Sequence, residues 1–104
     1  MRSIKREGEF WVYIVECVDK TFYTGYTNDL EKRLKRHNAG LASKYTRARL
    51  PVRIVWSKEY KQFQSAFKTE MVIKKLTRKQ KEALVGGKRL DKVLEEVKRY
   101  EKTK

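Results

Sequence analysis

The sequence has one cysteine, one histidine and one proline in 104 residues, and it has no long apolar run. The single cysteine excludes an intramolecular disulfide and any zinc site that needs two or more thiolates. Cys17 falls in a hydrophobic strand pattern, so we interpret it as a small core residue. No segment is apolar enough to span a bilayer, and the N-terminal MRSIKREGEF has no signal-peptide core. We therefore expect a soluble, cytoplasmic protein with one compact domain and no membrane partner.

Acidic residues are also scarce, because 13 Asp and Glu face 27 Lys and Arg and the formal net charge is +14. From Lys32 to Lys58 there is no carboxylate at all. A charge excess of this size, unevenly placed on a small chain, favours a polyanionic partner such as nucleic acid. The alternative is a solvated basic surface that only keeps the protein soluble.

Alternating and β-branched segments predict three strands, and periodic segments predict helices. The strands are expected at residues 10–17, 22–26 and 51–60, and the helices at about 28–38, 66–76, 77–85 and 88–103. The expected helix N-caps are Asn28, Ser65 and Thr77. We expect residues 1–9 to be frayed and residues 39–50 to form a basic loop. The order β-β-α-β-α-α-α is typical of an α+β domain, with helices packed on a small antiparallel sheet.

Strand alternation predicts which side chains share a face. In the first strand one face carries Trp11, Tyr13, Val15 and Cys17. In the third strand one side is expected to carry Val52, Ile54 and Trp56.

The turn between the first two strands decides whether Tyr13 and Tyr23 meet. A two-residue loop at Asp19-Lys20 places the two tyrosines on opposite faces, whereas a three-residue loop places them on the same face. We predict the three-residue loop, residues 19–21, with Lys20 in the left-handed region at a cost of roughly 1 kcal/mol.

The first helix carries charge on its core-facing side. Leu30, Arg33, Leu34 and His37 follow the spacing i, i+3, i+4, i+7 and form one stripe. A guanidinium there is costly unless it meets a counter-charge or opens into a cleft. Taken singly, Arg33 is also consistent with an edge residue reaching solvent, and His37 with a hydrogen-bonded core imidazole.

Glu70 is anomalous in the same way, because it falls on the apolar side of the second helix and is the only carboxylate between Glu59 and Glu82. Two interpretations stay open from the residues alone. One is a structural ion pair with Arg33, and the other is an oxygen ligand for a hard cation such as Mg²⁺.

Together these pieces resemble the GIY-YIG nuclease superfamily, and most closely its small single-domain bacterial branch. VYI at 12–14 and YTG at 23–25 stand where the family has its two name-giving triplets. Val12 and Thr24 replace a glycine and an isoleucine of those triplets. The resemblance covers about residues 9–85 as a nuclease domain and leaves 86–104 as a C-terminal amphipathic helix and tail.

The resemblance implies a three-stranded antiparallel sheet and hydrolysis of phosphodiester bonds with one divalent ion, Mg²⁺ or Mn²⁺. It assigns Tyr13 and Tyr23 to the site, with Tyr13 favoured to help deprotonate water, Arg33 to the phosphate charge, and His37 to a tyrosine. It assigns Glu70 to the metal. Arg33 and the metal are expected to favour a phenolate over the neutral phenol. Many family nucleases have a further asparagine late in the domain, but this chain has none after Asn38. We therefore expect activity that is weak or depends on a protein partner.

The basic loop supplies the candidate nucleic-acid contacts, with an aromatic ring between cations that suits phosphate contact and base stacking. They are Lys44, Tyr45, Thr46, Arg47 and Arg49. No zinc finger, basic zipper or long recognition helix is present, so binding is expected to be structure-selective or non-specific, to DNA more than to RNA. The function that follows is a DNA endonuclease in repair or recombination. The alternatives are a non-catalytic binding module with the same fold and a basic RNA-associated protein. A homodimer through residues 88–103 is a further alternative.

Overall fold

The computed structural model describes the backbone of residues 7–103 and the side chains of residues 9–99. Fraying was expected for residues 1–9; residues 1–6 lie outside the described part, whereas residues 7–9 belong to β1, so the expectation was wrong for them. The elements are β1 Glu7–Glu16, β2 Phe22–Thr27, α1 Leu30–Asn38, α2 Lys44–Arg47, β3 Arg53–Gln62, α3 Phe63–Lys74, α4 Arg78–Val85 and α5 Leu90–Thr103. The predicted α+β class is confirmed. The chain divides into two compact units, residues 1–74 and 75–104.

The first unit is built on a three-stranded antiparallel sheet in the order β2-β1-β3. The central strand is covered on both faces, since the side chains from Val12 to Val15 are at most 1% exposed. On one face, Tyr13, Val15, Cys17 and Val52 form a core against which Leu30 and Leu34 of α1 pack. On the other face, α3 packs across the sheet through contacts such as Phe63 on Phe10. The core role predicted for Cys17 is confirmed.

The β1–β2 turn has three residues and places Lys20 in the left-handed region at φ 73°, as predicted. The loop is Val18–Lys20 instead of residues 19–21, because the Cys17 N–H donates to the Thr21 carbonyl (2.8 Å) and closes the hairpin one residue earlier. Val15 pairs with Tyr23 in this register, so Tyr13 and Tyr23 share a face, as predicted.

A β-bulge breaks the regular alternation of β3. Ile14 pairs with Trp56 while the next residue, Val15, pairs with Ile54, so one residue of β3 has no partner. Trp56 therefore lies on the α3 side of the sheet and Ile54 on the α1 side. The prediction that both share one side was wrong, because strand periodicity does not reveal an inserted residue.

Several helix boundaries differ from the predictions. The N-cap of α1 is Asp29, whose carboxylate accepts from the Lys32 N–H (3.0 Å), and not Asn28. The expected basic loop contains the one-turn helix α2, capped by Ser43. Helix α3 starts at Phe63, directly after β3, so Ser65 lies inside the helix and does not cap it.

One side chain ties the end of α1 to the start of β3. The Asn38 amide accepts from the Val52 N–H (2.8 Å) and donates to the Val52 carbonyl (3.1 Å). This pair of hydrogen bonds fixes the C-terminal turn of α1, which carries His37, against the sheet.

The second unit contains α4 and α5. The predicted capping box of Thr77 and Gln80 opens α4, and both of its hydrogen bonds are present. Leu84 and Val93 are buried. Within the described residues, no helix combines the length and the apolar character needed to cross a membrane.

Candidate active site

Tyr13 and His37 form a buried hydrogen-bonded pair at the centre of the candidate site. The Tyr13 hydroxyl lies 2.8 Å from His37 Nε2. Tyr13 is 1% exposed and His37 is 0% exposed, and their rings meet edge to face. Strand β1 supplies the tyrosine, and the core-facing stripe of α1 supplies the histidine.

Gly25 makes room for this pair. It stands opposite Tyr13 in the β1–β2 ladder, and a Cβ at this position would lie 2.6 Å from the Tyr13 hydroxyl oxygen. Only a residue without a side chain lets the tyrosine ring lie across β2 and reach His37.

The other nitrogen of His37 is held by Thr46. The Thr46 hydroxyl lies 3.0 Å from His37 Nδ1 and donates its own proton to the Ser43 carbonyl in a long hydrogen bond of 3.4 Å. We therefore assign the proton of the neutral imidazole to Nδ1, which donates to Thr46 and leaves the lone pair of Nε2 to accept from the Tyr13 hydroxyl.

The prediction that Thr46 contacts nucleic acid was wrong. Thr46 is 0% exposed, and its hydroxyl is engaged by His37 and Ser43. Its role is to orient the histidine.

Arg33, Tyr23 and Glu70 surround the Tyr13 hydroxyl closely enough to change its pKa. Burial raises the pKa of Tyr13 to about 12, while the charge of Arg33 and its side-chain hydrogen bond act in the opposite direction. Tyr23 and Glu70 contribute smaller increases to that value. The expected effect of Arg33 is present, but burial outweighs it, so without a metal ion Tyr13 is a neutral phenol near pH 7.

His37 is neutral as well. Burial lowers the pKa of His37 below its ordinary value, and the positive charge of Arg33 lowers it further. A neutral imidazole with a free Nε2 lone pair is a proton acceptor for Tyr13.

Glu70 lies on α3 and is buried, with 6% of the residue exposed, and its partner is Lys74, one turn later, at 2.8 Å. The ion pair considered with Arg33 is therefore replaced by one within α3. Lys74 itself is about half exposed, and the hydrogen bond to Glu70 raises its pKa.

The donor set around Glu70 suits a hard cation only in part. Side chains 9–99 contain no group of three or more His, Cys, Asp or Glu that could hold a metal ion. Mg²⁺ needs only one or two carboxylates when waters and phosphate oxygens complete its shell. Glu70 is one such carboxylate. Its partner Lys74 is about half exposed, so the ammonium group can move to solvent and leave the carboxylate to a metal ion.

Tyr23 connects the buried pair to the basic loop. Its ring meets His37 edge to face at 5.6 Å and stacks on Tyr45 at 6.3 Å. Arg49 lies 3.9 Å above the Tyr45 ring and forms an ion pair with Asp19 (3.0 Å). One face of Tyr45 is thus covered, whereas Lys44 and Arg47 are exposed.

Arg33 is half-buried and borders two open clefts, as expected for a charge on a core-facing stripe that reaches solvent. The larger cleft has a volume of about 410 Å³ and is lined by Phe10, Tyr26, Thr27, Asn28, Arg33 and Phe63. The smaller has about 280 Å³ and is lined by Thr27, Asn28, Asp29, Lys32, Arg33 and Arg36.

The structure thus brings Tyr13, Tyr23, Arg33, His37 and Glu70 around one region of the first unit. Sequence reasoning missed Gly25 and the contact of Lys74 with Glu70. A glycine inside a strand pattern signals close approach of another group, and a Glu followed by Lys at i+4 signals an ion pair. Both signals were present in the sequence.

The fold and this site define a nuclease family. The chain belongs to the GIY-YIG family, since the model of the GIY-YIG catalytic domain matches residues 9–83. Nucleases of this family typically depend on a metal ion.

Within that family the chain is similar to small bacterial proteins named UPF0213. It is 49% identical over 78 residues to a UPF0213 protein of Clostridium perfringens, covering 75% of this chain and 84% of that protein. It is 45% identical over 80 residues to the UPF0213 protein YazA of Bacillus subtilis, covering 77% and 81%. A solution structure of a UPF0213 protein from Bacillus halodurans, 42% identical, matches with a TM-score of 0.51 over 76% of this chain and 84% of that one.

Proposed function

We propose that the protein is a divalent-metal-dependent endonuclease that hydrolyses phosphodiester bonds of DNA. The observation that carries the proposal is the Tyr13 hydroxyl held on a neutral His37 beside Arg33 and Glu70. Phosphodiester hydrolysis needs a base, a cation that binds the phosphate and a carboxylate that binds the metal ion. Unusual DNA structures in repair or recombination are the proposed substrates, because the chain has a large positive charge and no sequence-reading module.

Tyr13 acts as a proton relay in this proposal. A neutral phenol cannot take a proton from water and keep its own, so the Tyr13 proton moves to His37 Nε2 as the phenol oxygen accepts the proton of the attacking water. The hydrogen bond from His37 Nδ1–H to the Thr46 hydroxyl is kept throughout this transfer, and it holds Nε2 towards the Tyr13 hydroxyl. The bond from water oxygen to phosphorus forms as the bond to the leaving oxygen breaks, and solvent supplies a proton to the leaving oxygen.

Arg33 stabilises the negative charge that grows on the phosphate oxygens, because its guanidinium lies between the buried pair and the open clefts. Glu70 is the proposed ligand of Mg²⁺ or Mn²⁺, which when bound supplies Lewis-acid polarisation of the phosphate. Lys74 would then release Glu70 and turn to solvent. Tyr23 positions His37 through ring contact.

The exposed cations of the basic loop are the proposed phosphate contacts outside the reacting group. Lys44 and Arg47 are free to approach a strand, while Arg49 and Tyr45 form a stacked pair beside Tyr23. A protein partner and a homodimer through residues 88–103 stay predictions.

One observation favours the alternative of a non-catalytic nucleic-acid-binding module. Lys74 already neutralises Glu70, so a metal ion must displace an ammonium group to bind. If the purified protein binds DNA but neither binds Mn²⁺ nor cuts with it, the alternative is the correct function.

The test is a cleavage panel of flaps, forks, junctions and single strands with Mg²⁺, Mn²⁺ or EDTA. We expect cutting by the wild type only with metal, and losses of at least about 100-fold for Arg33→Ala and Glu70→Gln. Glu82→Gln is the matched control, since Glu82 is an exposed carboxylate that also pairs with a cation four residues away. Full activity of Glu70→Gln, or cutting in EDTA, would contradict the proposal.

A further inference from the structure

An exposed group of aromatic rings lies beside the candidate active site and takes no part in the proposed hydrolysis. Phe63 and Phe67 of α3 are 40% and 42% exposed, and their rings stack at 5.8 Å with 22° between the planes. Tyr26 of β2 meets both rings edge to face, at 5.6 and 6.3 Å. Ring faces left in water are unfavourable for a folded chain and commonly mark binding surfaces.

The larger cleft next to Arg33, called here the aromatic cleft, has two kinds of wall. Phe10, Tyr26 and Phe63 supply flat apolar surface, and Thr27, Asn28 and Arg33 supply the polar groups. Its volume of about 410 Å³ falls within the range of roughly 300–1,000 Å³ typical of small-molecule sites. A planar apolar ligand with donors and acceptors on its edge matches both walls, and Asn28 offers a donor and an acceptor together.

The positive charge beside the aromatic cleft favours planar ligands that carry an anionic group. Arg33 borders the aromatic cleft on one side and a second cleft on the other, where three cations, Arg33, Lys32 and Arg36, outnumber the one carboxylate in the lining, Asp29. A ligand that carries a phosphate next to a planar ring therefore finds its ring and its anion matched by adjacent groups. A nucleotide unit of a polynucleotide has this chemistry, whereas an apolar peptide would leave Arg33 and Lys32 without counter-charge.

We propose that the aromatic cleft binds one unpaired nucleobase of a DNA strand, stacked on the ring of Phe63 and bordered by the inclined ring of Tyr26, next to the phosphate contacted by Arg33. The proposal rests on the proposed function, because it places the base beside the phosphodiester bond to be cut. Bases in a duplex are already stacked on each other and cannot enter the cleft. The substrate class is therefore single-stranded or locally unpaired DNA.

The test measures binding of the full chain in EDTA, where no cutting occurs. The probes are two fluorescein-labelled strands of about 12 units, one of thymidine nucleotides and one of abasic tetrahydrofuran phosphates with the same length and charge. We expect the preference of the wild type for the strand with bases to fall roughly five- to tenfold in Phe63→Leu, which keeps an apolar side chain but loses the aromatic face. Phe63→Trp restores the face and should keep the preference.

Val72→Ala is the control, because Val72 lies on the same helix, is 41% exposed and does not line the cleft. It should leave the preference unchanged, and circular dichroism melting curves should show that all three variants are folded. If Phe63→Leu weakens both strands equally, or neither, the aromatic cleft does not hold a base and the proposal is overturned. That result is also the one expected if the exposed rings serve a protein partner.

Failure of this proposal and failure of the proposed function give different results. Loss of base preference in Phe63→Leu without metal-dependent cutting by any variant would support the base site and contradict hydrolysis. Cutting that depends on Glu70, with a base preference insensitive to Phe63, would support hydrolysis and overturn the base site.

Discussion

At Gly25 the space beside the Tyr13 hydroxyl is too small for a methyl group. Gly25→Ala places a Cβ 2.6 Å from the hydroxyl oxygen and 2.8 Å from the ring carbon that bears it. We expect a loss of about 1–3 kcal/mol in the free energy of unfolding, measured with urea, because the buried ring cannot move without strain. In a Tyr13→Phe background, Gly25→Ala should lower the free energy of unfolding by less, because the hydroxyl oxygen, the atom nearest to the new Cβ, is absent. An equal cost in both backgrounds would contradict the contact.

The single histidine gives the stability a pH dependence of known sign. Burial and Arg33 lower the pKa of His37 in the folded protein below the ordinary value of 6.5, so the unfolded chain takes up a proton first as the pH falls. The stabilising contribution is complete above about pH 6.5 and is lost as the pH falls from there towards the lowered folded pKa. The slope from this group is at most about 1.4 kcal/mol per pH unit.

Urea unfolding at a series of pH values between about 5 and 7 measures this slope. His37→Gln keeps a neutral hydrogen-bonding side chain but cannot titrate, so its curve should be flatter than that of the wild type. Equal slopes for the two proteins would show that the pKa of His37 is not lowered by folding.

Much of the candidate site could be predicted from side-chain types at strand and helix spacings. The stripe of α1 located Arg33 and His37, and the apolar side of α3 located Glu70. Strand alternation and the β1–β2 turn placed Tyr13 and Tyr23 on one face, and the family resemblance then assigned the roles. Thr46 was misplaced because α2 is a single turn, with too few residues to show a periodic pattern that would point its hydroxyl inward. The balance of burial against the charge of Arg33 on Tyr13 depends on packing density, which the sequence does not reveal.

At the scale of elements, the start of α1 is set by Asp29 and not by its neighbour. Asp29→Ala removes the side-chain acceptor of the Lys32 N–H and should lower the free energy of unfolding by about 1 kcal/mol. Asn28→Ala, one residue earlier, should change it by less than about 0.5 kcal/mol, because Asn28 does not cap the helix. Urea denaturation of both variants separates the two assignments, and the reverse order of costs would restore Asn28 as the cap.

Strands and long helices were predicted better than their junctions. The apolar run of β1 and the capping box of α4 gave clear local signals; α4 forms where expected, and β1 begins at Glu7, three residues before its predicted start. The β3–α3 junction gave no clear local signal, because the helix follows the strand directly. Ser65 is a residue type typical of an N-cap, but it lies inside the helix. The bulge opposite Ile14 and Val15 is set by pairing with β1, a non-local interaction that the local pattern of β3 does not reveal.

At the scale of the whole molecule, the charge of +14 predicts DNA binding that weakens steeply with salt. If Lys44 and Arg47 each contact a phosphate of duplex DNA, replacing both with Gln should make the negative slope of log affinity against log salt shallower by roughly 1.8, at about 0.9 per contact. The control is the pair Lys92→Gln and Lys98→Gln, which removes the same charge from exposed positions of α5. Equal changes in slope would mean that net charge, and not the basic loop, determines binding.

The most direct measurement of the central claim is the single-turnover cleavage rate of Tyr13→Phe with Mg²⁺ or Mn²⁺. This change removes one oxygen atom, the one that lies 2.8 Å from His37 Nε2. If Tyr13 relays the proton of the attacking water to His37, the rate should fall by at least about 100-fold while DNA affinity in EDTA stays the same. A Tyr13→Phe protein that cuts at the wild-type rate would contradict the relay.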